Sequence, residues 1–187
     1  ANVEKNYETA VGYQALTTAT TGYYNVAVGK SALAATSSGA RNTAVGYDAL
    51  EANTTGSYNT ALGNFALTLN TTTSNNTAIG YNTLAANVAA NNTAVGYAAL
   101  TANTTGTANA AMGGTTLTTN TTGSYNSGFG RDSLSLNTTG SYNTAVGESA
   151  LYANTTASNN TAVGRSALVA NTTGHSNVAV GKGAGDS

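Results

Sequence analysis

His175 is the only histidine among 187 residues and there is no cysteine, so the side chains that most often carry out catalysis or bind metals are nearly absent. A Ser-His-Asp triad or a His-ligated metal centre needs partners converging on that one imidazole. His175 instead sits beside Gly174 in turn-type sequence, and no nucleophile motif surrounds any serine. A calcium site built on Gly-rich turns needs Asp in each turn. Here the turns carry Thr, and the few carboxylates do not recur in register. The chain is therefore expected to be non-enzymatic, with no catalytic residue, no metal and no cofactor.

Charge excludes further classes. No Asp, Glu, Lys or Arg occurs between Ala52 and Gly130, so no basic track for phosphates exists there and nucleic acid is not an expected partner. No segment is apolar for long enough to span a bilayer. The missing cysteines remove disulfides but leave the compartment open. A start at Ala1, without a signal peptide, suggests a processed or excised product.

The side chains that could act do so by recurrence. Asn-Thr-Thr sequons stand at Asn53, Asn70, Asn103, Asn120, Asn137, Asn154 and Asn171, candidate glycosylation sites in a glycosylating host, although Asn, Thr and Gly are also what a tight turn demands. The Thr pairs in those turns resemble the arrays of ice-binding solenoids. Neighbouring side chains in a strand point to opposite faces, so a double outward array would require an unusual turn. Tyr7, Tyr24, Tyr58, Tyr125 and Tyr142 share one repeat position, and Tyr13, Tyr47, Tyr81 and Tyr97 share another. Such columns can bind a surface glycan or a receptor, or simply stack along the chain.

These recurrences belong to one repeat. Asn-Thr-Ala-Val-Gly or a variant begins at Asn25, Asn42, Asn59, Asn76, Asn92, Asn109, Asn126, Asn143, Asn160 and Asn177, with a degenerate copy at Glu8. Every step is 17 residues except the 16 from Asn76 to Asn92. With the motif Asn as position 0, position 4 is always Gly (Gly46 and Gly147 are examples), a place where the backbone turns and a Cβ would obstruct. Position 8 is Leu in all but the last, incomplete copy, as at Leu50 and Leu151, and position 3 is always apolar, as at Val45 and Val146.

Seventeen residues interrupted by Gly and Thr-Thr-Gly leave no room for two stable helices. Two short strands and two turns fit, so the expected fold is all-β: a parallel β-solenoid of about eleven 17-residue coils over residues 1–187, with 1–7 and 177–187 as partial end coils. The first strand is Thr-Ala-Val, the second lies around Ala-Leu, and Asn-Thr-Thr-Gly makes the outer turn. Asn42, Asn59, Asn76 and Asn143 are expected to stack in a hydrogen-bonded ladder. Val45 and Leu50 are expected inside the coil, which places Ala44, Ala61, Ala78, Ala94, Ala145 and Ala162 outside as a smooth seam for a second chain.

Repeats such as Asn42-Thr-Ala-Val-Gly46 and Asn143-Thr-Ala-Val-Gly147 resemble the head repeats of trimeric autotransporter adhesins. Asn-Thr-Ala-Val-Gly-Tyr-x-Ala-Leu-x-x-Asn-Thr-Thr-Gly is similar to repeats of bacterial and phage tail-fibre-domain proteins. The resemblance covers nearly the whole chain and implies a left-handed parallel β-roll, trimerisation and an adhesive or receptor-facing role.

Together these readings predict an extracellular, cell-surface or virion fibre segment that partners itself. It does so laterally, and end to end if the partial coils at 1–7 and 177–187 complete one another, with Glu4, Lys5, Lys182 and Asp186 setting register. The alternative is a tail-fibre or adhesin shaft that binds a host receptor or glycan.

Overall fold

The computed structural model describes residues 7–186; Glu4, Lys5 and the rest of the segment 1–6 lie outside the described residues. The chain is all-β. Among the described residues eleven three-residue strands follow one another: β1 (Thr9–Val11), β2 (Val26–Val28), β3 (Thr43–Val45), β4 (Thr60–Leu62), β5 (Thr77–Ile79), β6 (Thr93–Val95), β7 (Ala110–Met112), β8 (Ser127–Phe129), β9 (Thr144–Val146), β10 (Thr161–Val163) and β11 (Val178–Val180). All pair in parallel in sequential order within one sheet, so each repeat is one coil of a solenoid. At strand spacing the stack is roughly 50 Å long.

Register never slips. Thr43, Ala44 and Val45 oppose Thr60, Ala61 and Leu62, and the shorter step is absorbed without offset, Thr77 opposing Thr93. The deleted residue comes out of the outer turn: Asn87 reaches the Ala89 carbonyl two residues on, where Asn103 reaches Gly106 three residues on. A one-residue slip would swap the faces of every side chain in a strand. Removing the residue from the turn avoids that.

The expected second strand is absent. Around Ala-Leu the backbone turns, and the position-8 leucines from Leu16 to Leu168 all have φ of 51–53°. Each still bonds the next coil, Leu50 N–H donating to the Ala66 carbonyl at 3.0 Å and Leu67 N–H to Thr83 at 3.1 Å. Parallel pairing therefore continues through this side without β dihedrals. A leucine accepts the left-handed region, at about 1–2 kcal/mol, only because tertiary packing holds it there; buried leucine is what this geometry secures.

The core also differs from expectation. Ala27, Ala44, Ala61, Ala78, Ala94, Ala111, Ala145 and Ala162 are completely buried, as are the leucines from Leu33 to Leu151 and most position-7 alanines. Val45 is only half-buried and Val146 is exposed. Alternation along the strand holds, but the alanines face inward and the valine column outward. A coil with a single three-residue strand is narrow, and the space between the strand and the leucine column accommodates a methyl group. Close packing decides the direction over the greater hydrophobicity of valine.

One place tests that packing. Gly128 replaces the inward Ala of β8, and a Cβ there would stand 2.6 Å from Thr116 Cγ2 and 3.0 Å from Ser133 Oγ. Thr116 and Ser133 occupy position 7, where most coils have Ala, and the core gives up a methyl group to fit them. Thr116 Oγ1 donates to the Gly130 carbonyl at 2.7 Å, whereas Ser133 Oγ is buried with no partner. An unsatisfied buried hydroxyl costs about 1–3 kcal/mol. Ser133→Ala should raise stability by about 1 kcal/mol, read as a higher urea midpoint with unchanged m-value; an unchanged midpoint would show that the hydroxyl finds a partner.

Candidate functional site: ladders, sheet face and aromatic columns

The asparagines at position 0 form a buried ladder. Each motif Asn N–H from Asn42 to Asn177 donates to the side-chain oxygen of the preceding Asn at 2.9–3.0 Å. Each Nδ2 from Asn25 to Asn160 donates to a turn carbonyl at 2.7–2.9 Å. One amide thus satisfies a buried N–H that would otherwise be orphaned and fills one acceptor site of a buried turn carbonyl. In the first coil Glu8 takes the Asn place, its Oε1 accepting from Asn25 Nδ2 at 3.0 Å.

A second ladder lies at position 11. Asn120, Asn137 and Asn154 each donate from Nδ2 to the preceding Asn Oδ1 at 2.8 Å and to the carbonyl three residues on at 2.9–3.0 Å. These are the sequon asparagines. Asn53, Asn70, Asn103, Asn120, Asn137 and Asn154 are fully buried, and Asn171 Nδ2 makes the same pair of bonds. In the six buried copies the nitrogen that a glycan would join is committed inside the coil, so the folded chain does not present them for glycosylation, while Asn171 is half-buried.

The neighbouring Thr pair divides its roles. Thr104, Thr121 and Thr138 turn their hydroxyls to the next coil's carbonyl at 2.9–3.0 Å, while Thr105, Thr122 and Thr139 are exposed. With one hydroxyl of each pair consumed internally, a double array of free hydroxyls does not form. At position 15, Ser74, Ser124, Ser141 and Ser158 accept from a backbone N–H of the preceding coil. His175 continues this column, its Nδ1 accepting from Ser158 N–H at 2.9 Å, so the lone imidazole takes the place of a serine.

Two surfaces remain. The first is the outer sheet face, formed by positions 1 and 3 of every strand. The position-3 column Val11, Val28, Val45, Leu62, Ile79, Val95, Met112, Phe129, Val146, Val163 and Val180 is exposed or half-buried throughout, with Met112 at 43% and Phe129 at 37%. Beside it runs a column mostly of Thr. No position of either column carries charge. The candidate seam therefore moves by one residue: Ala44, Ala61, Ala78, Ala94, Ala145 and Ala162 have no exposed area with which to meet another chain.

No protein-family model, curated protein or solved structure matches the chain.

The second surface is aromatic. Tyr125 and Tyr142 stack at 4.9 Å and 3°, and Tyr7 stacks on Tyr24 at 5.4 Å. Arg41 fills the same position one coil further on, its guanidinium carbon 5.8 Å from the Tyr24 ring and 5.3 Å from that of Tyr58, a cation–π pile worth about 0.5–1 kcal/mol per exposed contact. On the other side of the coil Tyr47, Phe65, Tyr81 and Tyr97 form a continuous run with centroids 5.2–5.9 Å apart. Phe65 belongs to it although it sits one residue out of the Tyr register. Among the described residues no group of three or more His, Cys, Asp or Glu stands together, and no helix is long and apolar enough to cross a membrane.

Proposed function

We propose that this chain is a non-enzymatic, extracellular structural segment: a stiff solenoid shaft that associates side by side with copies of itself in a surface fibre. The observation that carries the reading is the uncharged outer sheet face, with an apolar side chain in every one of the eleven strands. Monomeric proteins seldom expose apolar strips of that extent. A second copy is the occupant we favour, because its face has the same strand spacing over the same length and can match it coil for coil. The similarity to adhesin head repeats supports a trimer and an adhesive setting, and the tail-fibre likeness supports a shaft as the part played. A rigid shaft suits the repeat physics, since coil is bonded to coil through the backbone and the position-0 Asn ladder, with the position-11 ladder added over much of the length.

Ile79 and Val146 lie well apart on the strip. Replacing both by Lys puts charges into the seam without touching the core, and should convert the assembly to monomers with unchanged circular dichroism. If the double variant keeps the native mass, the strip is not the seam.

A further inference from the structure

The surface column at position 5 contains a gap. Tyr81 and Tyr97 stack at 5.7 Å and 9°, and two coils beyond Tyr97 the column resumes with Arg131, paired with Glu148. Between them is Gly114, where a Cβ would have nothing within 4 Å. The Tyr97 ring face turned away from Tyr81 is thus uncovered, and Tyr97 is 62% exposed. Thr115 N–H donates to the Tyr97 carbonyl at 2.8 Å and Asp132 N–H to the Gly114 carbonyl at 3.1 Å, which holds the three coils at strand spacing. The result is a notch one coil wide. Gly114 and Thr115 form its floor, with Tyr97 on one side and Arg131, whose Nη2 turns to Glu148 of the next coil, on the other.

Its polar groups are already placed. Asp132 accepts from Thr115 Oγ1 and lies 3.6 Å from Arg131 Nε. The hydrogen bond to Glu148, then the charges of Asp132 and Glu148, raise the Arg131 pKa further above its ordinary value, so that wall stays cationic. Two strand spacings make the notch roughly 9.5 Å from wall to wall. That exceeds two stacking contacts of about 3.5 Å for a flat ring and leaves room for a puckered saturated ring.

We propose that this notch binds one neutral pyranose, its C–H face on Tyr97 and its hydroxyls on Arg131 and Asp132. The aromatic face takes the axial hydrogens, Arg131 donates and the carboxylate accepts. Two carboxylates against one guanidinium disfavour an acidic sugar. The proposal is independent of how chains associate.

The test is NMR titration of the full chain with the methyl glycosides of glucose, galactose, mannose and N-acetylglucosamine. Saturation transfer to at least one glycoside is expected, with shifts at the Gly114 and Thr115 amides and a Kd on the order of 1 mM. Gly114→Tyr continues the ring stack into open space and fills the notch, so it should weaken binding at least about tenfold while leaving the melting temperature unchanged; Tyr97→Ala should weaken it similarly. If none of the four glycosides shifts those amides, or if Gly114→Tyr binds as well as the native chain, the proposal fails.

Discussion

Gly96→Ala should break the solenoid in the middle. Gly96 has φ of +134°, and a Cβ there would lie 2.5 Å from the Gly113 carbonyl oxygen, 2.6 Å from its carbon and 3.0 Å from Gly114 N. All three atoms are backbone of the next coil, so no side chain can give way, and φ is unfavourable for alanine as well. Relief requires β6 and β7 to separate locally, with loss of their ladder bonds. We expect a destabilisation above about 4 kcal/mol. Because repeats couple mainly to their neighbours, cooperative unfolding should give way to a broad or two-step transition by circular dichroism. Gly114→Ala, at the next repeat's position 5, is the matched control and should leave the melt unchanged. Equal melts for the two variants would mean that the coils are not in backbone contact at Gly96.

Asn109→Leu should be nearly as damaging, for a different reason. Asn109 is buried; its Oδ1 accepts from Asn126 N–H at 2.9 Å and its Nδ2 donates to the Gly123 carbonyl at 2.9 Å. Leucine shares the branched shape but is larger, so it overpacks the site, and it leaves the Asn126 N–H buried without a partner, although the Gly123 carbonyl keeps Asn120 Nδ2 at 2.9 Å. The unsatisfied N–H costs about 1–3 kcal/mol and overpacking about 1–3 kcal/mol, so the loss should be roughly 2–5 kcal/mol, measured by urea unfolding. If Asn109→Leu were neutral, the ladder would be ornamental, and backbone bonds and apolar packing would hold the coils without it.

These two positions were legible from periodicity, as was the all-β solenoid itself. Gly at every position 4 and Asn at nearly every position 0 mark sites that one side chain alone can fill, and 17 residues punctuated by Gly leave no room for helices. The direction of the strand was not legible. Alternation says that Ala44 and Val45 face opposite ways without saying which way is in, and hydrophobicity pointed to the wrong face because the width of the coil, a tertiary quantity, decided it. The second strand was missed for a related reason: nothing about leucine announces φ near 51°, which only the closed coil imposes. The sequons misled because Asn-Thr-Thr-Gly suits an exposed turn equally well; the signal available was that Asn recurs at position 11 almost as regularly as at position 0, as a stacked amide ladder requires. The Tyr97 notch depends on Gly114 and Arg131 standing beside Tyr97 in space, and at 17-residue intervals in sequence that adjacency emerges only once the register is known.

Sedimentation equilibrium of the native chain tests most directly the claim that the outer face is a seam between copies. The account predicts a mass that is an integral multiple, two or greater, of the 18.4 kDa of one chain, persisting in high salt because no charge pair lies on the strip. A species that remains at 18.4 kDa over a wide concentration range would contradict it and leave the valine column as bare surface.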